Sequence, residues 1–171
     1  MYQYLLFDLD GTLTDPKEGI TKCAQYALKA MGRPEPDTEK LVCFIGPPLT
    51  EQFMEYCHVG RKEAEYAVFK FRERFREKGV FENFPYEGVE NMLKTLRERG
   101  KTLAVATSKP WVFAEQILTR FRLRSYFELV AGPELDGTGS KKAEVIQKAL
   151  EGLGVTEAEK DRCLMIGDRL H

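Results

Sequence analysis

Residues 2–12 read Y-Q-Y-L-L-F-D-L-D-G-T, and this stretch decides the fold. Its first six residues are mostly aromatic and aliphatic, and the run stops at the polar sequence D-L-D-G. A short apolar run that ends at a turn signal is typical of a buried strand. We therefore predict a strand over 2–7, followed by a loop that carries the carboxylates of Asp8 and Asp10.

Three later segments repeat this pattern of a short apolar run. They are Thr102–Thr107, Phe127–Ala131 and Cys163–Ile166. Between and before them, apolar residues recur at helical spacing, which predicts helices over 89–96, 110–121 and 142–153. Apolar strands that alternate with helices form a parallel sheet covered on both faces. The sequence therefore predicts an α/β fold, a three-layer parallel sheet of Rossmann-like type.

The segment between the first strand and the remaining ones has a different character. Apolar residues at helical spacing predict helices over 20–31, 50–57 and 62–78, and the pattern contains no convincing strand. Prolines and glycines mark the loops between these helices. We predict a core formed by residues 1–15 plus 85–171, with an all-helical domain inserted over 16–84.

Composition excludes several classes of protein. The chain has 171 residues, of which 43% are hydrophobic and 31% are charged, as in ordinary globular proteins. Lys and Arg number 26 against 27 Asp and Glu, so the basic excess of a nucleic-acid-binding protein is missing and we expect no nucleic-acid partner. No apolar run approaches the length of a membrane span, so we expect no membrane partner.

The cysteine and histidine content argues against two further kinds of site. The four cysteines form no C-x-x-C pair, and His58 and His171 are the only histidines, which argues against a zinc site or a histidine-based catalytic triad. The N-terminus lacks the basic region of a signal peptide. We expect a cytoplasmic protein with reduced thiols.

Polar clusters follow the predicted strands. They are the run Asp8–Thr12, the run Thr107-Ser108-Lys109, the loop that leads to Lys141-Lys142, and Gly167-Asp168. Ligands of a parallel sheet bind beyond the carboxyl ends of its strands, where these clusters are expected to meet. The sequence therefore predicts a crevice lined by carboxylates, hydroxyls and an ammonium group.

Such a set of groups suits phosphoryl chemistry. Neighbouring carboxylates repel each other unless a cation neutralises them, and oxygen ligands favour Mg²⁺. A lysine beside the cation stabilises the charge on a phosphoryl group. One carboxylate can attack phosphorus, and a second carboxylic acid can protonate the leaving oxygen.

These motifs resemble a known family. The run Asp8-Leu9-Asp10-Gly11-Thr12 resembles the D-x-D-G-T signature of haloacid-dehalogenase-superfamily phosphatases. The strand that ends at Thr107, Lys142 ahead of the sequence Ala-Glu-Val-Ile, and Ile166-Gly167-Asp168 resemble its second, third and fourth motifs. The inserted helices are similar to the family's small helical cap. Residues 7–15 and the loop Phe44–Leu49 resemble the phosphoglycolate-phosphatase-like branch.

The resemblance implies a role for each matching residue. Asp8 would be the nucleophile and a Mg²⁺ ligand, and Asp10 would be the general acid and base and would ligate the metal through its carbonyl. Asp168 would complete the metal site. Thr107 would hydrogen-bond the phosphoryl oxygens, and Lys142 would neutralise charge on Asp8 and on the phosphoryl group, although Lys141 is an adjacent rival. Gly11, Thr12, Ser108 and Lys109 are predicted to contact the substrate. The loop Phe44–Leu49 either touches substrate or only connects helices.

The expected function is Mg²⁺-dependent hydrolysis of a small phosphorylated metabolite by a monomer or weak dimer, with phosphoglycolate as the first candidate substrate. A 5'-nucleotidase, a pyrophosphatase, a sugar phosphomutase and a non-catalytic binding module are the alternatives. The family's fourth motif usually carries a second acidic residue, and only three residues follow Asp168 here. We therefore expect that the natural chain continues past His171.

Overall fold

The structure, a computed structural model, describes residues 1–168. It divides into two compact units. The core unit contains Met1–Asp15 together with the chain from Phe84 onward, and the helical unit is Pro16–Asn83.

The core unit is built on a parallel sheet of four strands in the order β5-β4-β1-β6. The strands are β1 (Tyr4–Phe7), β4 (Thr102–Ala106), β5 (Leu129–Ala131) and β6 (Cys163–Ile166). Three helices accompany them, namely α4 (Val89–Glu98), α5 (Trp111–Arg120) and α6 (Lys142–Gly152). This is the predicted three-layer α/β fold, and the prediction is confirmed.

Small side chains let α6 pack closely on the sheet. Ala104, Ala106 and Ala131 are buried in one cluster with Val145 and Ala149 of the helix. Gly152 continues this contact, since a Cβ at that position would lie 2.5 Å from the Leu129 side chain. The close approach matters for the site because it fixes the start of α6 next to the ends of β4 and β5.

The strand register places the polar clusters at one edge of the sheet. Phe7 pairs with Val105 and with Ile166, and Ala106 pairs with Ala131. The residues that follow each of these positions therefore leave the sheet side by side, at its carboxyl end.

A two-stranded antiparallel ribbon was not predicted. It joins β2 (Thr14–Asp15) to β3 (Phe84–Pro85), with Thr14 opposite Pro85. Two-residue strands are too short to show the period-2 pattern, and a proline normally argues against a strand except at an edge. The sequence pattern therefore gave no indication of this ribbon.

The helical unit packs three helices around an aromatic core. They are α1 (Lys17–Ala30), α2 (Leu49–Cys57) and α3 (Arg61–Glu77), with short 3-10 helices at Thr38–Phe44 and Gly79–Phe81. The ring of Phe44 lies 4.6 Å from that of Phe53, which in turn contacts Phe71 at 6.5 Å. Phe44 is thus a core residue of this unit, which supports the connector interpretation for the start of the loop Phe44–Leu49.

Two smaller features complete the comparison between sequence and structure. The 3-10 helix at Thr38–Phe44 was not predicted, although the Asp37 side chain caps it by accepting a hydrogen bond from the Glu39 N–H group at 2.9 Å. All four cysteines are free thiols, as predicted. Within residues 1–168, no helix combines the length and the apolar character that a bilayer crossing requires.

Candidate active site

Asp8 follows β1 directly, and its carboxylate is held from two sides. The Asp8 N–H group donates to the Ile166 carbonyl at 2.8 Å, which fixes the backbone at the end of the sheet. One carboxylate oxygen, Oδ1, accepts a hydrogen bond from the Leu9 N–H group at 2.8 Å. The other, Oδ2, accepts from the ammonium group of Lys142. Both oxygens of the candidate nucleophile are therefore oriented.

Lys142 is the first residue of α6, and its side chain is buried. Its Nζ donates to the Ala106 carbonyl at 2.9 Å in addition to Asp8. Lys141, the rival in the sequence, is 84% exposed and lies 3.9 Å from Glu144. The structure therefore brings Lys142 to Asp8 and leaves Lys141 on the surface.

Asp10 belongs to a second buried ion pair. Its Oδ2 lies 2.9 Å from Nζ of Lys109, and Oδ1 is buried with no hydrogen-bond partner among residues 1–168. Burial raises the pKa of Asp10, the negative charges of Asp8 and Asp168 raise it further, and Lys109 opposes the increase. A raised pKa favours the protonated carboxyl, which is the form that a general acid needs.

Gly11 allows the Asp168 carboxylate to approach the loop that follows β1. Its φ of +79° is in the left-handed region, and a Cβ there would lie 2.6 Å from Oδ2 of Asp168. On the other side, a Cβ at Gly167 would lie 3.5 Å from the Cβ of Asp8. Gly11 therefore makes room for the Asp168 carboxylate, and Gly167 lies in ordinary van der Waals contact with Asp8.

Hydroxyl groups border the same loops. Thr107 is buried, its N–H group donates to the Ala131 carbonyl at 3.0 Å, and its hydroxyl accepts from the Lys109 N–H group at 3.2 Å. A hydroxyl that accepts one hydrogen bond can still donate its own proton. The Thr12 hydroxyl is buried without a partner among residues 1–168, and Ser108 is half-buried.

Comparison with known proteins decides the family. The sequence profile described as haloacid dehalogenase-like hydrolase matches residues 5–171. The chain belongs to this family. The resemblance carried by the motifs at Asp8, Thr107, Lys142 and Asp168 is thereby confirmed at the level of the family.

Relatives of this haloacid dehalogenase-like hydrolase have several names. A 5'-nucleotidase from Pseudomonas aeruginosa is 48% identical over 170 residues, which are 99% of this chain and 76% of that protein. Tyrosine-protein kinase PtkA from Mycobacterium tuberculosis is 36% identical over 169 residues, which are 99% of this chain but 56% of the kinase. A crystal structure described as a predicted phosphatase from Clostridium acetobutylicum matches with a TM-score of 0.93 and 46% identity, covering 99% of this chain and 77% of that one.

The donor set of this hydrolase suits Mg²⁺. The implied ligands are the carboxylates of Asp8 and Asp168 and the backbone carbonyl of Asp10, and Mg²⁺ binds few protein oxygens and keeps several waters. Within residues 1–168, no group of three His, Cys, Asp or Glu side chains is arranged to hold a metal ion. The expected second acidic residue of the fourth motif lies outside the described residues.

Sequence reasoning missed the residues that support the loop after β4. The Trp111 N–H group donates to the Pro133 carbonyl at 3.1 Å, and the Trp111 indole donates to Glu134 at 2.9 Å. Gly132 lies against this loop, since a Cβ there would be 2.5 Å from the Lys109 carbonyl oxygen. A Gly-Pro pair directly after a predicted strand was the available signal, because glycine at a strand end often marks a close backbone approach.

Proposed function

We propose that this chain is a Mg²⁺-dependent phosphatase that hydrolyses small phosphate monoesters through an aspartyl-phosphate on Asp8. One observation carries the proposal: two carboxylates on the same loop each contact a different buried lysine, Lys142 at Asp8 and Lys109 at Asp10. Burial raises the pKa of the Asp10 carboxyl. One carboxylate suited to nucleophilic attack next to one suited to proton donation is the combination that this reaction needs.

In the first step, an Asp8 oxygen attacks phosphorus and the bond from phosphorus to the ester oxygen breaks. The departing oxygen takes a proton from the Asp10 carboxyl, so an alcohol leaves and Asp10 becomes a carboxylate. Lys142 and the Thr107 hydroxyl stabilise the negative charge of the phosphoryl group. Lys142 already contacts Asp8, so no large movement of this lysine is required.

In the second step, water hydrolyses the aspartyl-phosphate. The Asp10 carboxylate removes a proton from the water, whose oxygen attacks phosphorus, and the bond from phosphorus to Asp8 breaks. Phosphate leaves and both carboxyl groups return to their initial states. Mg²⁺, held by Asp8, Asp168 and the Asp10 carbonyl, would supply positive charge that neutralises the carboxylates and polarises the phosphoryl oxygens.

The preferred ester is proposed on the basis of resemblance. Phosphoglycolate is the first candidate from the sequence branch, and a nucleoside 5'-monophosphate ranks beside it because the P. aeruginosa relative is named 5'-nucleotidase. Pyrophosphate remains a third candidate. A sugar phosphomutase would differ by returning the phosphoryl group to a sugar.

Phosphate release from a panel of these esters tests the proposal. The wild-type chain is compared with Asp8→Asn after chelation of divalent metal and again after addition of Mg²⁺. Asp161→Asn is the matched control, because Asp161 is exposed and belongs to none of the four motifs. We expect Mg²⁺-dependent turnover that falls by about 10³-fold or more in Asp8→Asn, since the nucleophile is lost, and is unchanged in Asp161→Asn.

Other outcomes would redirect the assignment. Absence of release from every ester by a folded wild-type chain would refute the phosphatase. Isomerised sugar phosphate without free phosphate would identify a mutase. The chain could instead transfer the γ-phosphoryl group of ATP to a tyrosine-containing polymer. Such a transfer, again lost in Asp8→Asn, would indicate a tyrosine kinase, the activity for which the M. tuberculosis relative is named.

A further inference from the structure

We infer that Trp111 is a specificity-determining residue whose indole ring stacks on a planar leaving group, so that the site favours a nucleoside 5'-monophosphate over phosphoglycolate. The inference deepens the proposed phosphatase function and rests on it. It concerns the part of the substrate that departs, whereas Asp8, Thr107 and Lys142 act on the phosphoryl group.

Trp111 lies at the carboxyl end of the sheet, beside the loops that carry the candidate site. It is the first residue of α5 and follows Thr107 by four residues, which span at most about 14 Å of chain. Its N–H group donates to the Pro133 carbonyl at 3.1 Å, in the loop that leads from β5 to Lys142. Trp111 therefore joins the loop that follows β4 to the loop that follows β5.

The contact between these two loops depends on Gly132. A Cβ at this position would lie 3.0 Å from the backbone nitrogen of Trp111 and 3.2 Å from its Cα. Any larger residue would have to push the Trp111 backbone away, so the absence of a side chain is what permits the close approach. The backbone of Trp111 is thus fixed relative to the end of β5.

The indole ring is held by one edge and remains open to solvent. Its N–H group donates to Oε2 of Glu134 at 2.9 Å, and Oε1 of the same carboxylate lies 3.5 Å from Nζ of Lys148. Trp111 is nevertheless 39% exposed, although tryptophan is highly buried on average. An aromatic ring that is already oriented can stack on a flat ligand without first losing rotational freedom.

Charge and reach favour a nucleobase as the group that this ring binds. The Glu134 carboxylate beside the indole repels the carboxylate of phosphoglycolate but not an uncharged base, and Lys148 offsets this charge only in part because their pair is exposed. The ribose of a nucleotide also extends its base further from phosphorus than the two carbons of phosphoglycolate reach. Every base has a face that stacks on an aromatic side chain, so we expect little preference among bases.

Ribose 5-phosphate isolates the contribution of the base, because it is adenosine 5'-monophosphate (AMP) without adenine. We expect Trp111→Leu to lower kcat/KM for AMP by about 30-fold and to change kcat/KM for ribose 5-phosphate by less than about threefold, since stacking is lost only where a base is present. Trp111→Phe keeps an aromatic ring and should recover part of the loss. Tyr2→Leu is the matched control, because Tyr2 is 47% exposed but precedes β1, at the amino end of the sheet, and it should behave as wild type.

The emission of Trp111 gives a second readout that does not need turnover. Trp111 is the only tryptophan in the chain, so the emission reports on this ring alone. In the Asp8→Asn chain with Mg²⁺, we expect AMP to quench the emission to a saturating level and ribose 5-phosphate to leave it unchanged. Excitation at the red edge of the indole absorption avoids absorption by adenine. This measurement tests the inference even if Trp111→Leu does not fold.

The results separate the inference from the function on which it rests. Equal losses on AMP and ribose 5-phosphate in Trp111→Leu, or the absence of quenching by AMP, would overturn the stacking role. A wild-type chain that releases phosphate from neither ester would refute the phosphatase itself, whereas quenching by AMP would still show that the ring binds a base.

Discussion

The ion pairs of the candidate site, in the core unit, differ in burial from the exposed ion pairs of the helical unit. In the core unit, Asp8 pairs with Lys142 across 134 residues of sequence, and their side chains are only 13% and 6% exposed. In the helical unit, pairs such as Lys22 with Glu18 lie one helical turn apart and are roughly half exposed. Burying an ion pair costs desolvation energy that an exposed pair avoids, so buried pairs are seldom kept for stability alone. The difference indicates where this chain keeps charge for chemistry.

Among the lysines that pair with carboxylates, Lys142 has the largest expected effect. Lys142→Met should lower kcat by about 10²–10³-fold, because the charge beside the phosphoryl group is lost. Lys141→Met is the matched control, since Lys141 is exposed and lies 3.9 Å from Glu144, and it should stay within about twofold of wild type. Steady-state kinetics on the preferred ester measure both. If Lys141→Met were the more damaging variant, the assignment of the third motif would be wrong.

The stability of Lys142→Met tests whether the buried ion pair contributes to folding. Lys142→Met leaves the buried Asp8 carboxylate without this partner and should destabilise the chain, whereas the double variant Asp8→Asn/Lys142→Met removes both charges and should regain most of that loss. Denaturant unfolding of the single and double variants measures the difference. A double variant that is much less stable than wild type would show that the pair is kept for stability.

The part of the structure that could be predicted from the sequence differs between the two units. Apolar runs at 102–107 and 163–166 indicated the strands of the core unit because parallel strands are apolar on both faces, and the strand ends then located Asp8, Thr107 and Asp168. The pairing of Lys109 with Asp10 was not predictable in the same way. Lys109 was expected to contact substrate, and nothing in its local sequence shows that the fold brings its ammonium group to Asp10.

The ribbon and the 3-10 helix show a different reason for failure. Thr14 pairs with Pro85, far away in sequence, and each strand has only two residues. Because strands this short show no periodicity, the local sequence does not predict the pairing. The 3-10 helix at Thr38–Phe44 follows a proline-rich loop whose residues favour turns more than helices. Both elements are stabilised by contacts made elsewhere in the fold.

One pair in the helical unit resembles those of the core unit. Arg74 donates two hydrogen bonds to Glu82, at 2.7 and 3.0 Å, and both side chains are largely buried. We expect Glu82→Gln to lower the free energy of unfolding by about 1–3 kcal/mol, because a bidentate charge-assisted contact is lost. Catalytic activity per folded molecule should not change. Loss of activity in the folded variant would contradict the view that this pair is structural.

The pH dependence of the same variant has a definite sign. Arg74 holds the pKa of Glu82 below its usual value. The ionised carboxylate therefore stabilises the folded chain at pH values above the unfolded pKa, and this contribution is lost as the pH falls through the lower, folded pKa. The stability difference between wild type and Glu82→Gln should be full at neutral pH and shrink below about pH 4.5. Urea unfolding at several pH values measures this difference.

The smallest effect is expected for an exposed pair of the helical unit. Lys17 lies 2.8 Å from Glu39, and the two side chains are 45% and 68% exposed. The attraction in water is weak, salt screens it, and holding two long side chains together costs entropy. Glu39→Gln should therefore shift Tm by at most about 1 °C, and added salt should not enlarge the shift. A shift as large as that of Glu82→Gln would mean that distance alone determines the strength of these pairs. A negligible shift would leave burial as the property that distinguishes the Arg74–Glu82 pair from the exposed ones.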